Sequence, residues 1–273
     1  MADTPPVSLT SVYAARLREM WEPLQRESEM SMLEFMLRHL AKWRSQVLAR
    51  NHVAIHGTTV MQGPFAGMSY VSQSTEGALI ARLVGCYEAE LHPHIDAIVN
   101  EGLDCVIDVG CAEGYYAVGL ARRYPTLEVH ARDISERARE ACTELATRNG
   151  VLSRVIVGGE FRPQDFEAFA GRRVLVMVDA EGAELDVLQP ELGPALAGMK
   201  LIVETHDGLR PGALKTLMER FGATHDIIRV DQGPKSFELP PWLRKLSHLD
   251  QVLVEWEWRA QPTPWLVMRP KAG

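Results

Sequence analysis

The chain has 273 residues, of which 46% are hydrophobic, and a formal net charge of −7 at pH 7. This length and composition support one large folded domain, or one domain with an extension. An acidic chain without a long basic run is not typical of nucleic-acid binding, and no apolar run reaches the ~18 residues of a membrane-spanning helix. The four cysteines form no Cys-x-x-Cys pair, and residues 1–10 lack the features of a signal peptide, so we expect a cytoplasmic protein with reduced thiols.

The first hundred residues predict a helical extension. Residues 8–50 have helical periodicity, which Pro23 divides into two helices, and residues 56–74 predict a glycine-rich loop. We therefore divide the chain into an extension, residues 1–100, and a second domain, residues 101–273. We interpret the extension either as a lid or acceptor pocket or as a homodimer contact. The alternative is that it only packs against the second domain. Its apolar stripe consists of Leu33, Met36, Leu37, Leu40, Trp43 and Val47.

From Asp104 onward, short apolar segments alternate with helical ones. Strands that alternate with helices indicate an α/β fold with a doubly wound, Rossmann-like sheet, which is mainly parallel. The seven predicted strands are CVIDVG, LEVHARD, VIVGG, RVLVMVDA, KLIVETHD, ATHDIIRVD and QVLVEWEW.

The first of these strands ends in a glycine-containing loop with a distinctive spacing. Asp108 is followed by Gly110, Ala112 and Gly114 at alternate positions, and a helical segment begins directly afterwards. The dinucleotide fingerprint would require glycine at Ala112 and Tyr115, which excludes a nicotinamide site. The spacing instead resembles motif I of class I methyltransferases that use S-adenosylmethionine (SAM). That resemblance implies SAM as cofactor and a sheet whose last strand is antiparallel.

Ligands of such sheets bind over the carboxyl ends of the strands, so the residues that follow each strand are the candidates for SAM contacts. Asp108 is expected near the methionyl amino group, and Asp133, after the second strand, near the ribose hydroxyls. Glu160, after the third strand, is expected near the exocyclic amine of adenine. The loop itself contributes Gly110, Cys111, Ala112, Gly114 and Tyr115, and Asp179 completes the set.

A second motif follows the fourth strand. Asp179, Glu181, Gly182 and Glu184 form an Asp-x-Glu-Gly-x-Glu box, and the next strand ends in Val-Glu at Glu204. These residues resemble the FkbM-type family of SAM-dependent methyltransferases. The resemblance covers about residues 104–208 and implies methyl transfer, often to a hydroxyl group of a sugar or natural product. Typical members of that family lack the helical extension and the His206-Asp207 pair.

Two strand ends carry candidate catalytic groups. Asp179 and His206 follow adjacent strands in the predicted order and face one crevice. A histidine there is suited to act as general base at neutral pH, because its ordinary pKa is close to 7. Asp179, His206 and Asp207 are also candidate ligands for a divalent metal such as Mg²⁺, which would activate an acceptor hydroxyl. A local turn at His206-Asp207 is the alternative without catalysis.

Other residues are candidates for an acceptor pocket. Aromatic and apolar side chains on the glycine-flanked loop are suited to form a mobile wall, while a Tyr-Glu pair precedes the first strand and Glu204 ends the fifth. The predicted acceptor residues are Phe65, Met68, Tyr70, Tyr87, Glu88 and Glu204.

Together these motifs predict a SAM-dependent methyltransferase that acts on an oxygen of a small polar molecule, in natural-product biosynthesis or sugar modification. Two alternatives stay open on the sequence. One is an enzyme that methylates nitrogen or carbon, or uses SAM for chemistry other than methyl transfer. The other is a regulatory module that binds SAM without turnover.

Overall fold

The structure, a computed structural model, describes residues 8–72 and 78–271. The two chain ends and residues 73–77 of the extension lie outside the described residues. A seven-stranded sheet forms the centre of the protein, with the order β3-β2-β1-β4-β5-β7-β6. Its strands are β1 (Cys105–Val109), β2 (Glu128–Arg132), β3 (Val155–Gly158), β4 (Val174–Val178), β5 (Lys200–Glu204), β6 (His225–Val230) and β7 (Trp265–Pro270).

The first five strands are parallel, and β7 lies antiparallel between β5 and β6. The predicted fold class, a doubly wound Rossmann-like sheet with an antiparallel final strand and N-terminal helices, is confirmed. The chain crosses from β3 to β4 on the other side of β1, so the switch point of this sheet lies between β1 and β4. Crevices at such switch points are where α/β sheets bind ligands.

Both faces of the sheet are covered. In β1, Val106 belongs to the hydrophobic core on one face, whereas Cys105, Ile107 and Val109 belong to the core on the other. All five residues of β1 are buried, which explains its unbroken apolar run before Asp108.

The helices are α1 (Leu9–Leu24), α2 (Glu29–His56), α3 (Leu79–Val84), α4 (His92–Asn100), α5 (Tyr115–Arg123), α6 (Glu136–Arg148), α7 (Glu184–Val187), α8 (Ala213–Phe221) and α9 (His248–Glu255). Short 3₁₀ helices span Pro163–Phe169, Pro194–Gly198 and Leu243–Lys245.

The predicted position of the seventh strand along the chain is wrong. The segment QVLVEWEW, predicted as the seventh strand, belongs mostly to α9. The Ser247 side chain caps this helix by accepting a hydrogen bond from the Asp250 N–H, and Asp250, Leu253 and Val254 are buried at helical spacing. The strand is instead β7, whose first four residues are all buried between two neighbours.

The N-terminal extension shares a core with the sheet domain, since Leu48 and Ile80 pack in the same cluster as Val106. The region forms two helices as predicted: α1 ends at Leu24, one residue after Pro23, and α2 begins five residues later at Glu29. Part of the predicted apolar stripe faces away from the protein: Leu33 is 59%, Leu37 70% and Leu40 46% exposed. Among residues 8–72 and 78–271, the helices are too short or too polar to cross a lipid bilayer.

Candidate functional site

The loop between β1 and α5 has a backbone that ordinary side chains rarely permit. Gly110 has φ +85°, and a Cβ there would lie 1.7 Å from the carbonyl oxygen of Asp179, so only glycine lets the loop pass this close to β4. Ala112 has φ +45°, and Gly114, with φ +92°, begins α5. The loop therefore holds a tight, fixed curve over the end of β1.

A narrow cavity, the loop cavity, lies against this turn. Asp108 is buried in its wall, and its Oδ2 accepts no hydrogen bond from the described residues. Burial, and next the neighbouring charge of Asp179, raise the pKa of Asp108 to about 7. A cation in this cavity would relieve the repulsion between Asp108 and Asp179. The cavity is lined by Tyr70, Arg82, Tyr87, Asp108, Gly110, Cys111, Ala112, Glu113, Tyr115, Tyr116, Met177, Val178, Asp179 and Trp265.

Asp133 and Glu160 differ in how they relate to this loop. The Asp133 carboxylate accepts hydrogen bonds from the Ala112 N–H at 3.0 Å and the Ser135 N–H at 2.8 Å, so it is fixed beside the loop. The Glu160 side chain is 62% exposed and pairs with Arg162 at 2.8 Å. The structure thus brings Asp133, and not Glu160, to the loop.

His206 is the centre of the second part of the site. The loop after β5 carries it, and the Asp-x-Glu-Gly-x-Glu box after β4 surrounds it with carboxylates. The Nδ1 atom lies 2.7 Å from an oxygen of Glu184, which is fully buried. The Nε2 atom lies 3.6 Å from Asp179 and 3.5 Å from Glu181. All three acids of the box therefore converge on one imidazole.

Glu184 fixes the orientation of this imidazole. Its Oε1 also accepts a hydrogen bond from the Gly182 N–H at 2.9 Å, so the carboxylate is held from two sides. With Nδ1 hydrogen-bonded to Glu184, the Nε2 atom of neutral His206 is an acceptor directed at Asp179 and Glu181.

The acids also set the charge of His206. Burial opposes protonation, but the hydrogen bond with Glu184 and the charges of Asp179 and Glu181 outweigh it and raise the pKa of His206 above its ordinary 6.5. Burial, and next the charge of Glu88, raise the pKa of Asp179, although His206 acts in the opposite direction. Asp179 and His206 therefore both bind a proton more tightly than the free side chains do.

The predicted metal ligands need one correction. Within the described parts of the chain, the group that could hold a metal ion is Asp179, Glu181 and His206, with ligand atoms within 4.8 Å of one another. Asp207 is not in it, because its carboxylate accepts the N–H groups of Gly212 and Leu214, both at 2.9 Å, at the start of α8. A helix-capping role replaces the predicted metal role of Asp207.

A larger cavity of about 400 Å³ opens beside His206. Residues 256–264, which we call the strap, form one of its walls, and we call it the strap cavity. It shares Arg82, Tyr87 and Asp179 with the loop cavity, so the two meet at these side chains. Its lining is Lys42, Arg82, Tyr87, Asp179, Glu181, Glu204, His206, Gly208, Leu209, Glu257, Trp258, Arg259, Ala260, Gln261 and Thr263.

Arg259 of the strap forms ion pairs with several acidic side chains beside this cavity. Its guanidinium is ion-paired with Glu88, Glu204 and Glu257. Glu204 also accepts a hydrogen bond from the Thr263 hydroxyl at 2.6 Å. Glu88 is fully buried and lines neither cavity, so the structure gives it a supporting role rather than the predicted acceptor contact.

The other predicted acceptor residues divide into two groups. Tyr87 and Glu204 line the strap cavity, and Tyr70 lines the loop cavity, with its hydroxyl donating to Glu113 at 2.6 Å. Phe65 and Met68 are buried in the core and line neither cavity. The mobile wall predicted from Phe65, Met68 and Tyr70 does not form, because all three are buried and the Phe65 ring packs edge-on against Tyr115 in α5.

Several site residues were missed from the sequence. Glu184 lies inside the Asp-x-Glu-Gly-x-Glu box after β4, and His206 follows the adjacent strand β5. Because adjacent parallel strands end at the same edge of the sheet, the position of Glu184 in the box was a signal that it could contact His206. Lys42 comes from α2, and Trp258 and Arg259 come from the strap, far along the chain in both directions. No local pattern marks these three residues as part of a cavity.

No family model matches this sequence, and no curated protein matches it. Solved structures with a similar fold include the O-methyltransferase TomG from Streptomyces achromogenes, involved in tomaymycin synthesis and solved with SAM, at 13% identity over 68% of this chain and 80% of that one, with a TM-score of 0.47. An O-methyltransferase from Bacillus cereus in complex with SAH has 13% identity over 67% and 80% of the chains, with a TM-score of 0.46. An rRNA methylase from Streptococcus thermophilus has 14% identity over 67% and 97%, with a TM-score of 0.45. At these identities and TM-scores the matched structures do not establish a function for this chain, which has to be inferred from its own residues.

Proposed function

We propose that this protein is a SAM-dependent methyltransferase that acts on a hydroxyl group of a small polar molecule. The observation that carries the proposal is the position of Asp179 and His206. Asp179 lines both the loop cavity and the strap cavity, and His206 lines the strap cavity with its Nε2 atom 3.6 Å from Asp179. A group in one cavity and an acceptor in the other would therefore meet beside these two residues. The net charge of −7 favours a small-molecule acceptor over nucleic acid.

The charges of the residues that line the loop cavity complement those of SAM. SAM carries a sulfonium and an ammonium cation, and two buried carboxylate oxygens in the cavity wall, Asp108 Oδ2 and Asp179 Oδ1, have no hydrogen-bond partner among the described residues. Asp133 stands beside the loop with lone pairs free for ribose hydroxyls. Bound SAM supplies an activated methyl group, so the protein has only to position the acceptor and remove its proton.

His206 is proposed as the general base. With Nδ1 held by Glu184, its Nε2 atom is directed at the cavity junction and can take the proton of an acceptor hydroxyl. The imidazolium that forms is stabilised by Asp179 and Glu181, at 3.6 and 3.5 Å. Asp179 and Tyr87 line the junction of the two cavities and are proposed to position the acceptor hydroxyl.

FkbM-type membership is part of this proposal. It rests on the spacing of the Asp-x-Glu-Gly-x-Glu box, whose three acids all surround His206 in this chain. The proposal also covers a role in natural-product or sugar modification, since both present hydroxyl groups. His206 itself is a departure from the family pattern.

The test is calorimetry with SAM, followed by incubation of the protein with SAM and a panel of hydroxyl compounds, with the products analysed by mass spectrometry. We expect SAM binding and a product heavier by one methylene group. Binding without any product would favour a regulatory module, and a product of different mass would favour other SAM chemistry. Absence of SAM binding would contradict the proposal outright.

A metal-assisted mechanism is the second candidate, because Asp179, Glu181 and His206 have a spacing that fits a divalent cation. The hydrogen bond from Nδ1 to Glu184 is the outer contact that a metal-binding histidine usually makes. A cation held there would lower the pKa of an acceptor hydroxyl and leave no lone pair on Nε2 for base catalysis.

We expect turnover to be unchanged within about two-fold by EDTA if His206 is the base. The measurement is initial rate with EDTA and after dialysis, with elemental analysis of the purified protein. Loss of activity in EDTA that Mg²⁺ or Mn²⁺ restores would transfer the role of His206 from base to ligand.

We further propose that two copies associate through α2. Met30, Leu33, Leu37 and Leu40 recur at spacings of three and four residues on one face, and each is 46% to 70% exposed. Light scattering should then give about twice the 30.5 kDa of one chain. Leu37→Glu should return the mass to that of a monomer, and a monomeric parent protein would exclude this association.

A further inference from the structure

The geometry points to an anionic acceptor, a small molecule whose carboxylate or phosphate group is bound by Lys42 in the lining of the strap cavity. This inference rests on the proposed function, because it names the class of acceptor for the same site. It assigns to the N-terminal extension a role in acceptor selection, through one side chain of α2.

Each charged side chain that lines the strap cavity has an oppositely charged or ionisable partner beside it, with one exception. Arg82 pairs with Glu113 at 3.3 Å, and Asp179 and Glu181 lie within 3.6 Å of His206. Glu204 and Glu257 are both paired with Arg259. Lys42 is the remaining charged side chain of the lining, and no carboxylate of the described residues lies within 4.0 Å of its Nζ.

Lys42 is also held in place rather than free in solvent. Its Nζ lies 5.3 Å from the centre of the Trp258 ring, a distance at which an ammonium is attracted to the π face. The Trp258 Nε1–H in turn donates to the Ser45 hydroxyl of α2 at 3.2 Å. An aromatic ring fixed from the same helix therefore positions the ammonium, which reduces the entropy lost when an anion binds.

The backbone at Trp258 has a conformation that supports a role in binding for the pair of Lys42 and Trp258. Its φ of +67° is a conformation that a bulky residue rarely adopts, and such strain persists where the surrounding structure enforces it. The adjoining contact is a bidentate pair between Arg44 and Asp250, with distances of 2.6 and 2.8 Å, which fixes α2 against α9 just before the strap. Helix α2 and the strap thus hold Lys42 and Trp258 as one unit.

The distribution of charge indicates how the acceptor would lie. The excess of carboxylates is around His206 and Asp179, next to the loop cavity where the SAM cation is proposed to bind. The unpaired positive charge is Lys42, which lines only the strap cavity. A hydroxyl group at His206 and an anionic group at Lys42 would match both parts of the site, and a cavity of about 400 Å³ accommodates a molecule that spans them.

Binding of matched pairs tests this inference on the SAH-loaded protein. Glucuronate is compared with glucuronamide, and glucose 6-phosphate with glucose, so each pair differs in charge and keeps its hydroxyls. We expect the anionic member of at least one pair to bind about 10-fold or more tightly than its neutral partner. The pair that shows the preference tells whether the site takes a carboxylate or a phosphate. Equal affinities in both pairs, or no binding of any of the four, would overturn the inference.

Variants assign the effect to Lys42. Lys42→Gln should abolish the preference for the anion, Lys42→Arg should retain most of it, and Lys245→Gln, at an exposed lysine, should leave it unchanged. For any acceptor that is turned over, Lys42→Gln should raise KM by about 10- to 100-fold and change kcat by less than about 3-fold. An anion preference that survives Lys42→Gln would overturn the assignment.

A separate experiment distinguishes failure of this inference from failure of the proposed function. The protein and SAM are incubated with a metabolite extract, and methylated products are sorted by their charge at pH 7. Anionic products support the inference, and exclusively neutral or cationic products contradict it. No product at all, with anion binding through Lys42 intact, would count against the methyltransferase and not against the anionic ligand.

Discussion

Replacing Asp108 with asparagine should weaken SAM binding by about 10- to 100-fold, since a hydrogen bond to a buried charged group contributes ~1.5–3 kcal/mol. Asparagine keeps the shape of the side chain and removes its charge. The carboxylate is buried, and its Oδ2 has no hydrogen-bond partner among the described residues, so this oxygen is available to pair with a SAM cation. Calorimetry on both proteins measures the loss.

The pH dependence of SAM affinity gives a sharper version of this experiment. Because the pKa of Asp108 is raised to about 7, the carboxyl is largely protonated at pH 6 and ionised at pH 8. The affinity of the parent protein should therefore rise across this range. The asparagine variant should lack that part of the rise, and ionisation of SAM itself cancels because it is common to both proteins.

Loss of folding is controlled in two ways. A raised carboxyl pKa means that the folded state binds the proton more tightly, so the contribution of Asp108 to stability falls as pH increases from its ordinary 3.8 to about 7. The asparagine variant should consequently unfold at pH 8 at the same temperature as the ligand-free parent or higher. Asp104→Asn, an exposed pair with Arg173 at the other end of β1, should leave SAM affinity unchanged. Equal losses in both variants would remove Asp108 from the cofactor site.

Features that depend on short stretches of sequence were predictable. The alternation of strands and helices follows from burial of each strand on both faces, and the loop after Asp108 follows from backbone angles that favour glycine at Gly110 and Gly114. The convergence of Asp179 and His206 was also predictable, because adjacent parallel strands end at the same edge. These inferences need only local geometry and the order of the strands.

Features that depend on competition between distant segments were not predictable. Residues 251–258 alternate like a strand, yet the more continuous apolar run of β7 takes the place in the sheet between β5 and β6. Asp207 and Glu181 each lie close in sequence to a site residue, and only the turns decide which carboxylate faces His206. Glu181, with φ +47° and a largely exposed side chain, lies 3.5 Å from His206 Nε2, whereas Asp207 caps α8.

Acceptor contacts were the least predictable part of the site. Phe65 and Met68 have the composition of a pocket wall, but burial in the core is the more favourable use of large apolar side chains. Lys42 is an ordinary polar position on a long helix, and it becomes a lining residue only because α2 packs beside the strap. Such roles arise from tertiary packing alone.

Replacing His206 with alanine should lower kcat by about 10²- to 10⁴-fold, the usual contribution of a general base, and leave SAM affinity within about two-fold of the parent. The imidazole lines the strap cavity and is absent from the loop cavity, so SAM contacts should persist. Steady-state kinetics and calorimetry separate the two effects. His248→Gln, at an exposed histidine on α9, is the matched control. An alanine variant with parental turnover would exclude His206 from the mechanism.

Glu184→Gln tests how His206 is tuned. A base must be neutral to accept a proton, so kcat should rise with pH through the pKa of His206, which lies above 6.5. Glutamine can still accept the Nδ1–H but lacks the charge that favours the imidazolium, so the rising limb should move to lower pH. A residue with a merely structural role would lower kcat by the same factor at every pH. An unshifted limb with normal thermal stability would therefore show that Glu184 supports the fold of the box without setting the basicity of His206.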